Sequence, residues 1–151
     1  MTLSIAEAYD FPSRQNLGVI STVSEHGTPE AALVNYGMTE SLELILETLQ
    51  TSRKYKNLYR NPDMAMVMGT GKECLTCQYE GVMSWPSDAA LRGLLDVYFV
   101  ARPEGLLRRS WPDLVYLLVR PTWIRISNYD LMNWHVRELD LRDLRYGSDE
   151  R

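Results

Sequence analysis

Leu42, Leu44 and Leu46 alternate with Glu43 and Glu47, and a few residues later the chain changes period. Period two puts the leucines on one face of a strand with the glutamates on the other; only Ile45 interrupts the polar face. From Thr51-Ser52 onward the spacing is helical: in RKYKNLYR, residues Tyr55, Leu58 and Tyr59 share one face. Ser52 is a good N-cap and Asn61-Pro62 a good stop, which predicts a helix of about two turns. A strand ending near Thr48 that feeds a short capped helix, with strand-like segments on either side, restricts the fold to a β framework with helical inserts.

Those flanking segments are short and regularly punctuated. Ser4 to Arg14 suits a short helix ending near Pro12. Leu17–Ser24 is rich in β-branched residues, Glu25-His26-Gly27-Thr28-Pro29 carries turn chemistry, and Glu30–Tyr36 reads as the return strand of a hairpin. After the helix, MAMVM within Asp63–Gly69 is a continuous apolar run that suits a strand buried on both faces. Glu73–Trp85 is a longer strand, and Ser87 caps a second helix through DAALRGLLDVYFVA, with Pro103 beyond it. Leu114–Arg120 and Trp123–Ser127 read as two strands separated by Pro121. A charged tail with Trp134 embedded follows Asp130. The expected fold class is mainly β: an antiparallel barrel of six or seven strands with two or three helices, forming one domain over residues 1–151.

Composition excludes several function classes. Lys and Arg total 16 against 20 Asp and Glu, a net charge of −4, which opposes bulk nucleic-acid binding but leaves room for one small basic pocket. No apolar run approaches the roughly 20 residues of a membrane helix, and MTLSIAEAYDF lacks a cationic region followed by an apolar one. The expected location is cytoplasmic, with no membrane partner. Cys74 and Cys77 have C-x-x-C spacing, yet residues three apart on a strand face opposite sides. The two histidines, His26 and His135, stand isolated. No metal site is expected, and the cysteines read as half-buried strand residues.

The stretch that carries chemistry is LETLQTSRKYKNLYRNP. A helix N-terminus presents unpaired N–H groups and a partial positive charge, whereas Arg53 and Lys54 in the first turn oppose that dipole. Two cations there make sense around a dianionic phosphate: Ser52 donates a hydroxyl, Arg53 binds two oxygens in a fork, and Lys54 adds a point charge. The same residues also suit a plain capped helix with solvated Lys and Arg.

The order of strand, Thr48, Ser52-Arg53-Lys54, helix, Asn61-Pro62 and apolar strand resembles the FMN-binding split-barrel family that includes pyridoxamine 5′-phosphate oxidase. Gly27-Thr28-Pro29, Gln78-Tyr79-Glu80-Gly81 and Arg120-Pro121-Thr122-Trp123-Ile124-Arg125 are similar to that family's pieces in the same order, over roughly residues 15–129. The resemblance implies FMN as cofactor. Ser52, Arg53 and Lys54 would hold its phosphate, Thr48 would reach the ribityl or phosphate region, and the backbone of Val34 and Asn35 would run beside the ring. Gln78 would reach the flavin from the other subunit of a homodimer, and Trp123 and Arg125 would line the substrate side. No catalytic acid or base stands out.

The chain departs from the oxidase at Glu30-Ala31-Ala32-Leu33-Val34-Asn35, where the oxidase carries basic residues. It departs again at Glu47, in place of an aromatic. Within NYDLMNWHVRELD an arginine is present, Arg137, but not the oxidase's Arg-His segment. The expected function is thus an FMN-dependent oxidoreductase on an unidentified small substrate, with pyridoxamine phosphate oxidation itself unsupported by these departures. The alternatives are a flavin-binding stress or sensor module without turnover, or the same fold carrying a deazaflavin or haem.

Overall fold

The computed structural model of the chain describes residues 1–15, 17–69 and 71–143; the end of the charged tail lies outside them. Helix α1 spans Ile5–Ser13, β1 Leu17–Val23, β2 Pro29–Met38 and β3 Leu44–Leu49. Next come α2 Arg53–Arg60, β4 Asp63–Met68, β5 Leu75–Ser84 and α3 Asp88–Ala101. A 3-10 turn Pro103–Arg108, β6 Leu114–Asn128 and β7 His135–Asp140 complete the order.

Strand order in the sheet is β3-β2-β1-β4-β5-β6-β7, and β3 also pairs with β6. That extra pairing closes six antiparallel strands into a barrel, to which β7 adds on the outside of β6. The interior follows from period two: Ile20, Tyr36, Leu44, Leu46, Met66, Tyr79, Leu117 and Ile124 all point inward and are buried. The fold is the mainly β antiparallel barrel expected, with seven strands and three α-helices among the described residues.

Several local expectations need correction. The apolar run MAMVM is not covered on both sides: Met64, Met66 and Met68 are buried while Ala65 and Val67 are exposed, because no element among the described residues covers the outer face of β4. Pro121 does not separate two strands. β6 runs through it, because the register with β5 shifts between Glu80 and Gly81, and a bulge is where a strand tolerates proline. Leu42 belongs to a turn at φ +69° rather than to β3. Ile45, on the expected polar face, is buried because α3 packs on β2 and β3 there. Gly37 permits that approach, since a Cβ on it would lie 3.2 Å from the Tyr98 Cα. Cys74 is exposed before β5 and Cys77 fully buried within it, so neither is the half-buried strand residue expected. Burial pushes the Cys77 thiol up to about 12.

The segment read only as a charged tail supplies β7, and with it the anchor for α1. Glu7 closes a capping box with Ser4 and pairs with Arg137 of β7 at 2.7 Å. The Arg137 hydrogen bond, with those from Ser4, lowers the Glu7 carboxyl from its ordinary 4.5 to about 2. A depressed carboxyl stabilises the fold above its unfolded pKa and loses that contribution as pH falls through the folded one. Glu7→Gln should therefore melt below the wild type at pH 6, with the gap narrowing from about pH 4.5 downward and closing near pH 2; calorimetric melts across that range check it.

Candidate functional site

β3 cannot follow two neighbours over its whole length. It pairs with β6 from Leu44↔Val119 to Leu49↔Leu114, but with β2 only at Tyr36↔Leu46, Gly37↔Ile45 and Met38↔Leu44. Beyond those pairs β2 and β3 splay apart. The β2 edge from Pro29 to Asn35 is then left with no strand partner on that side among the described residues. Helix α2 starts in the gap, with Leu58 buried beneath it.

A cavity of about 270 Å³ opens at this split, lined by Val34 and Asn35 of β2, Thr48 and Leu49 of β3, and Ser52 and Lys54 at the start of α2. These are five of the seven expected cofactor residues together with Leu49. The Thr48 and Ser52 hydroxyls lie 3.0 Å apart, and Ser52 also accepts the Tyr55 N–H as the helix cap. Side-chain hydroxyls, an amide and an ammonium converging on one concavity are a donor set suited to an anionic group.

Arg53 and Lys54 do not share that cavity. Lys54 lines it, as well as a second cavity of about 260 Å³ further along β2. Arg53 turns to the hairpin, where its guanidinium pairs with Glu30. Asn57 donates to Glu30 Oε2 at 2.8 Å and to Thr22 Oγ1 at 3.0 Å, and Arg60 donates to Asn57 Oδ1 at 2.9 Å. The Asn57 hydrogen bond, followed by Arg53, holds the Glu30 carboxyl below its ordinary range against the opposing effect of burial.

Gln78, Trp123 and Arg125 lie elsewhere. One row of the outer sheet face runs Leu33, Val19, Val67, Gln78, Arg125 and Glu138 across six strands. Gln78 is three strands from Leu33, about 14 Å at ordinary strand spacing. Trp123 occupies the next row, opposite Glu80, and Arg125 pairs with Glu138 at 3.5 Å.

The far wall of the first cavity was not anticipated. Glu47, Arg108, Trp111 and Leu114 form it. Glu47 stands on the outer face of β3 with its side chain 9% exposed, ion-paired to Arg108 from the 3-10 turn. Buried Tyr98 lies beside the pair, its phenol raised first by burial and then by Glu47. The Arg108-Arg109-Ser110-Trp111 sequence follows a helix with no periodic signal of its own, so only the tertiary path of the 3-10 turn brings it to the cavity.

Residues 5–127 match the family model described as pyridoxamine 5′-phosphate oxidase. No curated protein matches the chain significantly. Among solved structures, a heme binding protein from Mycobacterium smegmatis superposes with a TM-score of 0.79 at 18% identity, covering 93% of this chain and 59% of its own. The chain thus spans less than two thirds of that protein's length. General Stress Protein 26 from Bacillus anthracis str. Sterne gives 0.64 at 22% identity, covering 82% of this chain and 94% of its own. An F420 reductase gives 0.59 at 23% identity, covering 77% and 94% respectively. At such identities the likeness is one of fold.

Removing one partner of a desolvated ion pair leaves the other charge uncompensated. Arg108→Ala should destabilise the chain by about 3 kcal/mol, and the double substitution Glu47→Gln with Arg108→Met by less. Urea unfolding of the two variants checks both the size and the order.

Proposed function

Because the chain belongs to the pyridoxamine 5′-phosphate oxidase family, we propose that it is a homodimeric flavoprotein that holds FMN in the cleft between β2, β3 and α2 and acts as an oxidoreductase on a small substrate. The observation that carries this reading is the convergence of Asn35, Thr48, Ser52 and Lys54 on one cavity at the barrel split. Their chemistry fits FMN: two hydroxyls and an ammonium for the phosphate, and an open strand edge for the ring. FMN when bound supplies the hydride or electron transfer, while the chain's own residues bind and orient it.

Two further observations support the details. The first cavity, at about 270 Å³, falls below the usual range for a complete cofactor site. A second subunit would complete it. Leu33, Val19 and Val67 form an exposed apolar row beside the cavity, and burying that row in a two-fold interface would bring the partner's sheet face against the cleft. Within one chain, Gln78 stands too far along the row to reach the cavity, so its proposed role belongs to the subunit opposite. Within one subunit the lining residues include no His, Cys, Met or Tyr to ligate iron, so haem would need its iron ligand from the subunit opposite.

Purified chain mixed with FMN should quench flavin fluorescence and bind FMN more tightly than riboflavin. Equal affinities would remove the phosphate role of the cleft. Lys54→Ala should weaken FMN about tenfold, the value of one charge-assisted hydrogen bond. Lys56→Ala, outside the first cavity, should change affinity less than about threefold. In sedimentation the wild type should be a dimer, burying on the order of 2,000 Å², and Val19→Asp should give a monomer that no longer retains FMN. A stable FMN-loaded wild-type monomer would end the two-subunit reading. Oxidation of reduced nicotinamide with an electron acceptor separates an oxidoreductase from a stress or sensor module, and the absorbance of the co-purified group separates FMN from a deazaflavin.

A further inference from the structure

The cationic start of α2 is less available to an anion than its sequence implies. Of its two first-turn cations, Arg53 is already engaged by a carboxylate of the same chain. Glu30 is no loosely held surface acid: its side chain is 17% exposed, and Arg53 and the buried amide of Asn57 hold its two oxygens. Asn57 is itself 3% exposed and fixed from both sides by Thr22 and Arg60. Glu30 and Arg53 both line the second cavity, next to Lys54, which also faces the first. A negative charge is thus built in beside the place a phosphate would take, on donors that a phosphate would otherwise use.

We propose that Glu30 is a specificity-determining residue: an internal competitor that occupies Arg53 and sets how strongly the cleft favours a dianionic cofactor tail over an uncharged one. This rests on the cleft being the flavin site. Arg53 lies at the first position of α2 and Asn57 four residues on, so both project to the same helix face, toward the hairpin and Glu30. Lys54, one position round, projects to the cavity. Removing the carboxylate charge while keeping its shape has two consequences of one sign. It deletes a repulsion toward the phosphate, and it frees a guanidinium able to take two phosphate oxygens. An uncharged ligand feels neither.

The test is Glu30→Gln, which keeps the length of the side chain and an acceptor for Asn57. Binding of FMN and of riboflavin is read by fluorescence quenching, and binding of inorganic phosphate by calorimetry, on wild type and variant. The expected result is FMN affinity up at least about tenfold, phosphate affinity up in the same direction, and riboflavin within about threefold. Glu30→Ala makes the same charge change by deletion and should agree in direction, covering the case in which the Gln variant does not fold. Glu30→Asp keeps the charge and should restore the wild-type preference. Equal shifts for FMN and riboflavin, or weaker FMN binding in the variants, would overturn the proposal and leave Glu30 a strut of the hairpin. Should neither protein bind any flavin while the variant still gains phosphate affinity, the cofactor reading falls and the role of Glu30 stands. Without that gain, both fall.

Discussion

The constraint on which the rest depends is the double commitment of β3. Pairing with β6 along its whole length closes the barrel, and the strand then diverges from β2 after three residue pairs. An open strand edge of several residues must be covered or solvated. Here α2 enters the gap, burying Leu58 and setting its N-terminus beside the free edge of β2. The cavity, the hydroxyls of Thr48 and Ser52, and the ammonium of Lys54 all stand where they do because the barrel is closed on one side of β3 and split on the other.

Charge is distributed around that split by helical geometry. Arg53, Asn57 and Arg60 recur at helical spacing and tie α2 to the β1–β2 hairpin through Glu30, Thr22 and Glu25. Lys54 falls off that stripe and faces the cleft. A second ion pair, Glu47 with Arg108, forms the opposite wall and joins β3 to the 3-10 turn. The cleft thus has one cation without an ion-pair partner among the described residues, Lys54, between two carboxylates that are each already engaged. Such an arrangement tunes anion affinity rather than maximising it.

The outer sheet face follows from what α3 does not reach. α3 covers β2 and β3 near Gly37 and Ile45, but among the described residues β1 and β4 carry no helix on that side, and Val19 and Val67 stay exposed. An apolar row next to a shallow cavity is an unusual surface for an isolated chain.

Periodicity and punctuation in the sequence determined the segments of β1 to β5, the hairpin at Gly27 and the bounds of α2, because period two, helical spacing, N-caps and turn residues are local signals. The capped helix start picked out Ser52 and Lys54, while Val34, Asn35 and Thr48 came from the resemblance to the family; all five follow one another along consecutive elements joined by short turns. What only the tertiary structure decided is every relation between distant segments. Pro121 reads locally as a strand break, yet the bulge opposite it lets β6 pass. MAMVM reads as doubly buried, yet nothing among the described residues covers its outer face. Arg53 and Lys54 read as one phosphate clamp, yet Glu30, some twenty residues earlier, draws Arg53 away. Arg108 and Trp111 carry no local signature and reach the cleft only through the path of α3 and the 3-10 turn. Local chemistry sets which conformation a segment prefers; which charge meets which depends on chain closure over long sequence separations, and that information is not held in any one window of residues.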